Sequence, residues 1–401
     1  MLPSLKPKPP ECKGCVAEPI NEGFAHHSGP SSSPIMLIGE ALGEVEAREG
    51  KPFWGGTGQM LRTMLRQAGI VDPYITNIVK CRPWEEGASK YVRRNRTPIK
   101  SEIDRCTSTY LSREIATVKP ILIVPCGSTA LQWVFEHYKQ PDPGPITAVR
   151  GYVFSVLDPV AEAMVKVLPI VHPSYIAQGN PEYWSITVHD LKKAKLESLN
   201  RFSTETPERF IIGPSMSTVH NTVRFLLEHR LPFSLDLETL GLDIYNINIM
   251  CLGVAWSGSD AICIPMLQRG GYEYWKNETE ELEVWKAICE LLDSPNTKIT
   301  QNGFPFDIPI LEYLGVRVSG RKEDTLTQHH VVATELPHSL EFLASVYTRQ
   351  RVFKGEAKGP GSMLWRKNED LWTYNCRDCT ATFTSWQELN KELDEMEMKV
   401  W

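Results

Sequence analysis

Residues 74–84 read YITNIVKCRPW. Apolar side chains alternate as far as Val79, and then Lys80, Cys81 and Arg82 arrive together before Pro83. The alternation predicts a strand that leaves a core at its carboxyl end. Working outward, short apolar runs recur on both sides, separated by stretches with apolar residues at helical spacing. IMLIGE (35–40) precedes the helical GGTGQMLRTMLRQAGI (55–70), and SEIDRCTSTYLSREIATV (101–118) precedes PILIVPCG (120–127) and the helical STALQWVFEHY (128–138). Strands and helices in alternation predict an α/β unit: a parallel four-stranded sheet sandwiched by helices. Ligands on such sheets gather at the carboxyl ends of the strands. GEALGE (39–44), NIVKCRP (77–83) and VHPSY (171–175) all follow apolar strands, so they are expected to converge there.

The 401 residues are enough for two or three domains, and 42% hydrophobic with 23% charged residues is the composition of a globular protein. No apolar run has the length of a membrane span, and the opening MLPSLKPKPPECKGC has no apolar signal core. These features predict a cytoplasmic protein with no membrane partner. A net charge of −6 excludes a histone-like coat protein but leaves room for local basic patches. In a reducing cytosol the ten cysteines are not expected to form a disulfide framework. Cys126, Cys251, Cys263 and Cys289 lie in apolar runs and read as core residues. Cys12-x-x-Cys15, Cys81 and Cys106 have the spacing of a four-thiolate set, which suits a zinc ion or a [4Fe–4S] cluster alike.

The polar stretch RFSTETPERF (201–210) marks a domain boundary near residue 205, giving domains over 1–205 and 206–401. The second half opens with the strands FSLDLETLG (233–241), INIMCLGVAW (247–256) and DAICIPML (260–267), and turns mainly helical from about residue 280. That order predicts a mixed sheet with helices packed on it. FSLDLETLG puts Asp236 and Glu238 on one face of a strand, where two carboxylates repel unless a cation lies between them. QNGFPFDIPIL (301–311) supplies Asp307, and YNCRDCTAT (374–382) supplies Tyr374 and Asp378. Four such acids can hold two Mg²⁺ or Mn²⁺ ions that clamp the attacking water and the leaving 3′ oxygen of a phosphodiester. Tyr374, one helical turn before Asp378, is placed to orient the water. Cys376 and Cys379 flank Asp378 and read as packing residues.

Across about residues 10–200, the blocks CKGC, LIGEALGEVEAREGKPFWGGTGQML, YITNIVKCRP, NRTP, EIDRC, KPILIVPCGSTA, VRG and HPSY resemble, in order, the family 4 uracil-DNA glycosylases. The resemblance implies a [4Fe–4S] cluster on Cys12, Cys15, Cys81 and Cys106, and cleavage of the N-glycosidic bond of a flipped-out uracil. It implies Phe53 as the stacking face, Asn77 as reader of the uracil edge, and His172 as stabiliser of the leaving anion. Glu40 and Glu46 would position water, and Ile176 would be the wedge that fills the gap in the base stack. Two departures stand out: Leu42 replaces the family's proline, and Ala47 replaces the second residue of an acidic pair. If these silence the chemistry, the unit is a uracil- or DNA-sensing module instead. The inserted WEEGASKYVRR (84–94), with Lys90, Arg93, Arg94 and nearby Arg96 among Trp84 and Tyr91, reads as a DNA-contact loop, and DNA phosphates are the expected partners of Lys80 and Arg82. It carries no histidine that could trap product covalently; the nearest comparable residue is Asn95.

Residues 208–390 resemble the DEDD 3′–5′ exonucleases of the tyrosine subtype, with an RNase H-like fold. The implied ligands are Asp236, Glu238, Asp307 and Asp378, and Asn302 matches the asparagine of the second motif. EDTLTQHHVV (323–332) and ELPHSLEFLASVYT (335–348) further resemble the proofreading domains of bacteriophage family A DNA polymerases. WQELNKELDEMEMKVW (386–401) reads as a helix with no capping signal, as if leading into a polymerase domain of a longer chain. The expected substrates are uracil-containing DNA and single-stranded 3′ ends.

Overall fold

The computed structural model describes residues 5–86, 93–159, 162–201, 206–241, 248–350 and 367–396. The chain divides into two compact units, 1–204 and 205–401.

The strands of the first unit are β1 (Ile35–Gly39), β2 (Tyr74–Asn77), β3 (Trp84–Glu86), β4 (Arg93–Asn95), β5 (Leu122–Pro125), β6 (Phe154–Asp158) and β7 (Ala163–Val167). Five of them form one sheet in the order β2-β1-β5-β7-β6. The β2-β1-β5-β7 pairings are parallel, as the alternation of elements predicts. The sheet also has a fifth strand, β6, antiparallel to β7. It escaped the sequence reading because it is a half-buried edge strand, held by main-chain pairing more than by a continuous apolar run. β1, buried along its whole length, lies between β2 and β5 and reads IMLIG without a polar break. The helix Gly56–Gln67 buries Leu61, Met64 and Leu65, at i, i+3 and i+4, in the same core as Leu37, Ile75, Leu122 and Val124. Truncating any one of these large side chains to alanine would cost about 2–5 kcal/mol.

The second unit has β8 (Arg209–Ile211), β9 (Phe233–Leu240), β10 (Asn248–Ala255), β11 (Asp260–Pro265), β12 (Lys298–Thr300) and β13 (Lys322–Asp324), in the order β13-β12-β9-β10-β11-β8. β9, β10 and β11 are antiparallel, and the outer pairings are parallel. This is the mixed, RNase H-like sheet expected. Alternation along β9 decides what faces what. Phe233, Leu235 and Leu237 join the core under the helices Met216–Glu228 and Glu278–Leu292. Ser234, Asp236 and Glu238 point to the other face, where the 28-residue helix Asn368–Glu395 packs. Cys376 and Cys379 do pack as predicted: they meet Cys251 and Cys263 in a buried cluster, and burial pushes these thiols far up. Among the described residues no helix is long and apolar enough to cross a membrane.

Candidate active sites

The parallel strands of the first unit deliver their carboxyl ends to one cleft of about 710 Å³. Glu40 follows β1, Asn77 ends β2, Thr129 follows β5 and His172 follows β7, and all four line it. Phe53 and Glu46, from the segment between β1 and the helix Gly56–Gln67, line it too. So five residues named from sequence, Glu40, Glu46, Phe53, Asn77 and His172, share one cavity. Phe53 is held at φ +49°, a left-handed conformation that a bulky residue adopts only where its surroundings force it. Gly39, beside Asn77 in the sheet, makes room for this arrangement. A Cβ there would lie 2.6 Å from the Phe53 ring and overlap Asn77 Oδ1. The Asn77 amide is 3% exposed and has no side-chain hydrogen bond among the described residues.

His172 sits 5.8 Å from Phe53, ring centre to ring centre. Its Nδ1 accepts from the Ser174 N–H at 3.1 Å and lies 2.7 Å from Ser174 Oγ. A backbone N–H can only donate, so Nδ1 is the acceptor and the neutral ring carries its proton on Nε2. Burial pushes the imidazole down to about 4, against a weaker upward pull from Glu46. His172 is therefore neutral at pH 7. Glu40 Oε2 accepts from the Thr129 hydroxyl at 2.5 Å, and Glu46 Oε1 from the Gly55 N–H at 2.8 Å, so both carboxylates are held in place. Thr129 was missed from sequence, although its position just after a strand is where the strand-end rule would look.

Three expectations need correction. Ile176 is 5% exposed and packs in the sheet core, so it cannot wedge into a base stack; Tyr175 beside it is exposed. Lys80 is buried and pairs with Glu114 at 2.7 Å and with Thr76, not with phosphates. Arg82 is buried too: its guanidinium donates to Asn95 Oδ1, Glu22 and the Arg93 carbonyl. In the basic insertion β3 and β4 pair as an antiparallel ribbon, and residues 87–92, with Lys90 and Tyr91, lie outside the described residues. In the described part Arg93 pairs with Glu22 and stacks 4.2 Å over Trp84, whereas Arg94 is exposed. Asn95 and Arg96 line the cleft.

Cys12, Cys15, Cys81 and Cys106 line a second, small cavity of this unit. Asn21 Nδ2 donates to Cys81 Sγ at 3.5 Å and the Lys80 N–H to Cys106 Sγ at 3.2 Å, the kind of contact that favours sulfur as thiolate. Without a ligand, burial pushes Cys81 up to about 11 and Cys106 up to about 12. The Leu42 N–H donates to the Cys81 carbonyl at 3.4 Å, a bond that proline could not make. Ala47, the other departure, is fully buried and does not line the cleft.

In the second unit Asp236, Glu238 and Asp378 each bring a carboxylate oxygen within 4.8 Å of the others. Among the described residues theirs is the only such set of three or more acid, cysteine or histidine ligand atoms. Asp307 lies beside them: its Oδ1 accepts from the Leu237 N–H at 2.9 Å, and burial, with Asp324 nearby, pushes its carboxyl up. Tyr374 is half-buried against Leu340, Ala344 and Ala381, one turn before Asp378. Asn302 is exposed at φ +59° in the loop before Asp307, a conformation asparagine tolerates. Asn375 was missed from sequence; it donates to Asp236 Oδ2 at 2.9 Å.

One unit thus gathers an aromatic, an amide and a neutral histidine in a single cleft, and the other sets acids against a long helix. The Uracil DNA glycosylase superfamily matches residues 26–192, and a 3′–5′ exonuclease family matches residues 215–394. The type-4 uracil-DNA glycosylase of Sulfurisphaera tokodaii is 32% identical over 216 residues, covering 53% of this chain and 88% of that one. That of Thermotoga maritima is 34% identical over 188 residues, covering 46% and 88%. The chain belongs to the type-4 uracil-DNA glycosylase family and carries a 3′–5′ exonuclease domain behind it. It is a hydrolase of DNA repair or replication. The DNA polymerase I of Borreliella burgdorferi is 25% identical over 170 residues, covering 40% of this chain and 17% of that one. Among solved structures, Brucella melitensis NrnC covers 48% of this chain and 84% of its own at 17% identity, with a TM-score of 0.35.

Proposed function

We propose that the first unit excises uracil from DNA at the cleft of Phe53, Asn77 and His172, and that the second trims 3′ ends at Asp236, Glu238, Asp307 and Asp378. The observation that carries the first half is the Asn77 amide, buried beside the Phe53 ring with its hydrogen bonds unspent. A flipped uracil stacks on Phe53, and the amide donates to O4 and accepts from N3–H, a pattern cytosine does not offer. Neutral His172 donates from Nε2 to the oxygen on which charge gathers as the base leaves. A neutral donor suits a developing anion because it gives a strong hydrogen bond without releasing its proton. Glu40 and Glu46, pinned by Thr129 and Gly55, hold the water that attacks the sugar carbon. Arg94 is the described member of the inserted ribbon left to meet DNA backbone.

We read the four cysteines, which line one small cavity of the unit that is similar to the type-4 glycosylases, as ligands of a [4Fe–4S] cluster rather than of zinc. The cluster, when bound, supplies a rigid cross-link and no chemistry at the base. Cys81 lies in the segment that follows Asn77, and its carbonyl accepts from Leu42 of the cleft, so the cysteine set braces the base reader. In the second unit, two Mg²⁺ or Mn²⁺ ions would supply charge neutralisation for an in-line phosphodiester displacement. The chain's own part is to hold Asp236 and Glu238 on one strand face opposite Asp378, with Tyr374 orienting the water. We further propose that the two units serve a phage replicative polymerase; the partial likeness to a DNA polymerase I supports this reading.

A sensor without glycosylase activity is less well supported, because Ala47 lies off the cleft and Leu42 adds a hydrogen bond instead of removing a group that the chemistry uses. The deciding assay is a uracil-containing oligonucleotide treated with alkali after incubation. Abasic product that vanishes in His172→Ala supports excision, and tight uracil-DNA binding with no abasic product sinks it.

A further inference from the structure

We propose that Asn375 is a positioning residue of the exonuclease site, setting the Asp236 carboxylate in the orientation that receives a divalent ion. This rests on the reading of Asp236, Glu238 and Asp378 as metal ligands. Asn375 is completely buried and stands three residues before Asp378 on the helix Asn368–Glu395, so the two share a helix face. Its Nδ2 donates to Asp236 Oδ2 at 2.9 Å and to the Asp236 main-chain carbonyl at 3.2 Å. Both partners are acceptors, so the amide nitrogen must face them; the reversed amide would set oxygen against oxygen.

The other end of the amide is informative. Asn375 Oδ1 is buried and has no hydrogen-bond partner among the described residues. An unpartnered buried carbonyl destabilises a fold, and an apolar residue of the same size would avoid that cost. What the asparagine adds is its grip on Asp236. Gly253 lies opposite Asp236 in the β9–β10 pair and gives the amide its space. A Cβ on Gly253 would overlap Asn375 Oδ1 and lie 2.6 Å from Cys379 Sγ. Gly253, Asn375 and Asp236 thus form a close-packed stack across sheet and helix. A carboxylate turns easily about its last torsion; a donor fixed on Oδ2 stops that rotation. It also ties β9, which carries Asp236 and Glu238, to the helix that carries Asp378.

The test uses the full chain and two variants, Asn375→Leu and Gly253→Ala. Asn375→Leu keeps the volume and removes the donor, while Gly253→Ala keeps the donor and displaces it. Mn²⁺ binding is measured directly by electron paramagnetic resonance titration, and trimming of a single-stranded oligonucleotide is followed against Mn²⁺ concentration. Mn²⁺ binding is expected to weaken about tenfold, the scale of one hydrogen bond to a charged group. The activation midpoint should shift by the same factor, with KM for DNA unchanged. If Asn375→Leu does not fold, Gly253→Ala carries the test and should shift in the same direction. A folded variant with wild-type Mn²⁺ binding and midpoint overturns the proposal, even if its melting temperature falls. Asp236→Ala separates the two readings. If it leaves Mn²⁺ binding and trimming intact, the acids are not the metal site and both readings fail. If it abolishes both while Asn375→Leu alters neither, only the positioning role fails.

Discussion

Gly39→Ala is a single-methyl perturbation aimed at the base pocket. Gly39 pairs with Asn77 across β1 and β2, so the added methyl emerges on the side where the Asn77 amide and the Phe53 ring meet. It would lie 2.6 Å from two ring carbons and closer still to Asn77 Oδ1. Real Cβ contacts do not fall below 3.0 Å, so ring and amide must each retreat, the ring by about 1 Å to reach ordinary contact. Displacements of that size in positioning groups cost about 100-fold in rate. The fold should survive, because overpacking by one methyl costs about 1–3 kcal/mol. The assay is single-turnover excision from a uracil oligonucleotide, with 3′ trimming as the internal control for an intact chain. Excision should fall about 100-fold and trimming should not change. Gly56→Ala is the matched comparison: Gly56 lines the same cleft, but its added methyl meets nothing within 4 Å, so excision should be unaltered. Excision by Gly39→Ala within threefold of wild type would refute the placing of Asn77 and Phe53 around the base.

The remaining predictions concern acid, buried charge and the cysteine set. His172 has its folded-state value depressed to about 4 from an ordinary 6.5, so its contribution to stability is full above pH 6.5 and is lost as pH falls through 4. Acid unfolding monitored between pH 7 and 4 should show a loss on the order of 3 kcal/mol that His172→Ala removes, and excision should show no inflection near pH 6.5. Lys80→Met strands Glu114 and should destabilise the fold by about 3–5 kcal/mol in urea denaturation. It should leave the salt dependence of DNA binding unchanged, whereas a phosphate contact would lower the slope by about one. Cys81→Ser should bleach the visible absorption expected of an iron–sulfur cluster and lower the melting temperature, while a colourless wild-type protein containing zinc would overturn the cluster.

The sequence by itself determined the alternation of elements in the first unit and the alternation of core and acid along β9, because periods of 3.6 and 2 are written directly in the order of apolar residues. Strand ends are where such sheets gather ligands, and the resemblance to the family 4 glycosylases singled out Glu40, Asn77 and His172 there. Partnership was left to the tertiary structure. Lys80 and Arg82 beside Cys81 look like phosphate binders in the chain, and only the fold brings Glu114 and Glu22 up to them from 34 and 60 residues away. The resemblance offers Ile176 as the wedge, but the turn of the short helix Pro173–Ala177 rotates it into the core and leaves Tyr175 outside. Asn375 is invisible in sequence for the same reason. Its importance lies in a carboxylate 139 residues earlier and a missing methyl on the neighbouring strand, and only packing of the long helix on the sheet brings the three together. YITNIVKCRPW, met first as a strand with an odd cysteine, carries the proposed base reader and a proposed cluster ligand four residues apart, because the end of β2 lines the cleft and the segment that follows it lines the cysteine cavity.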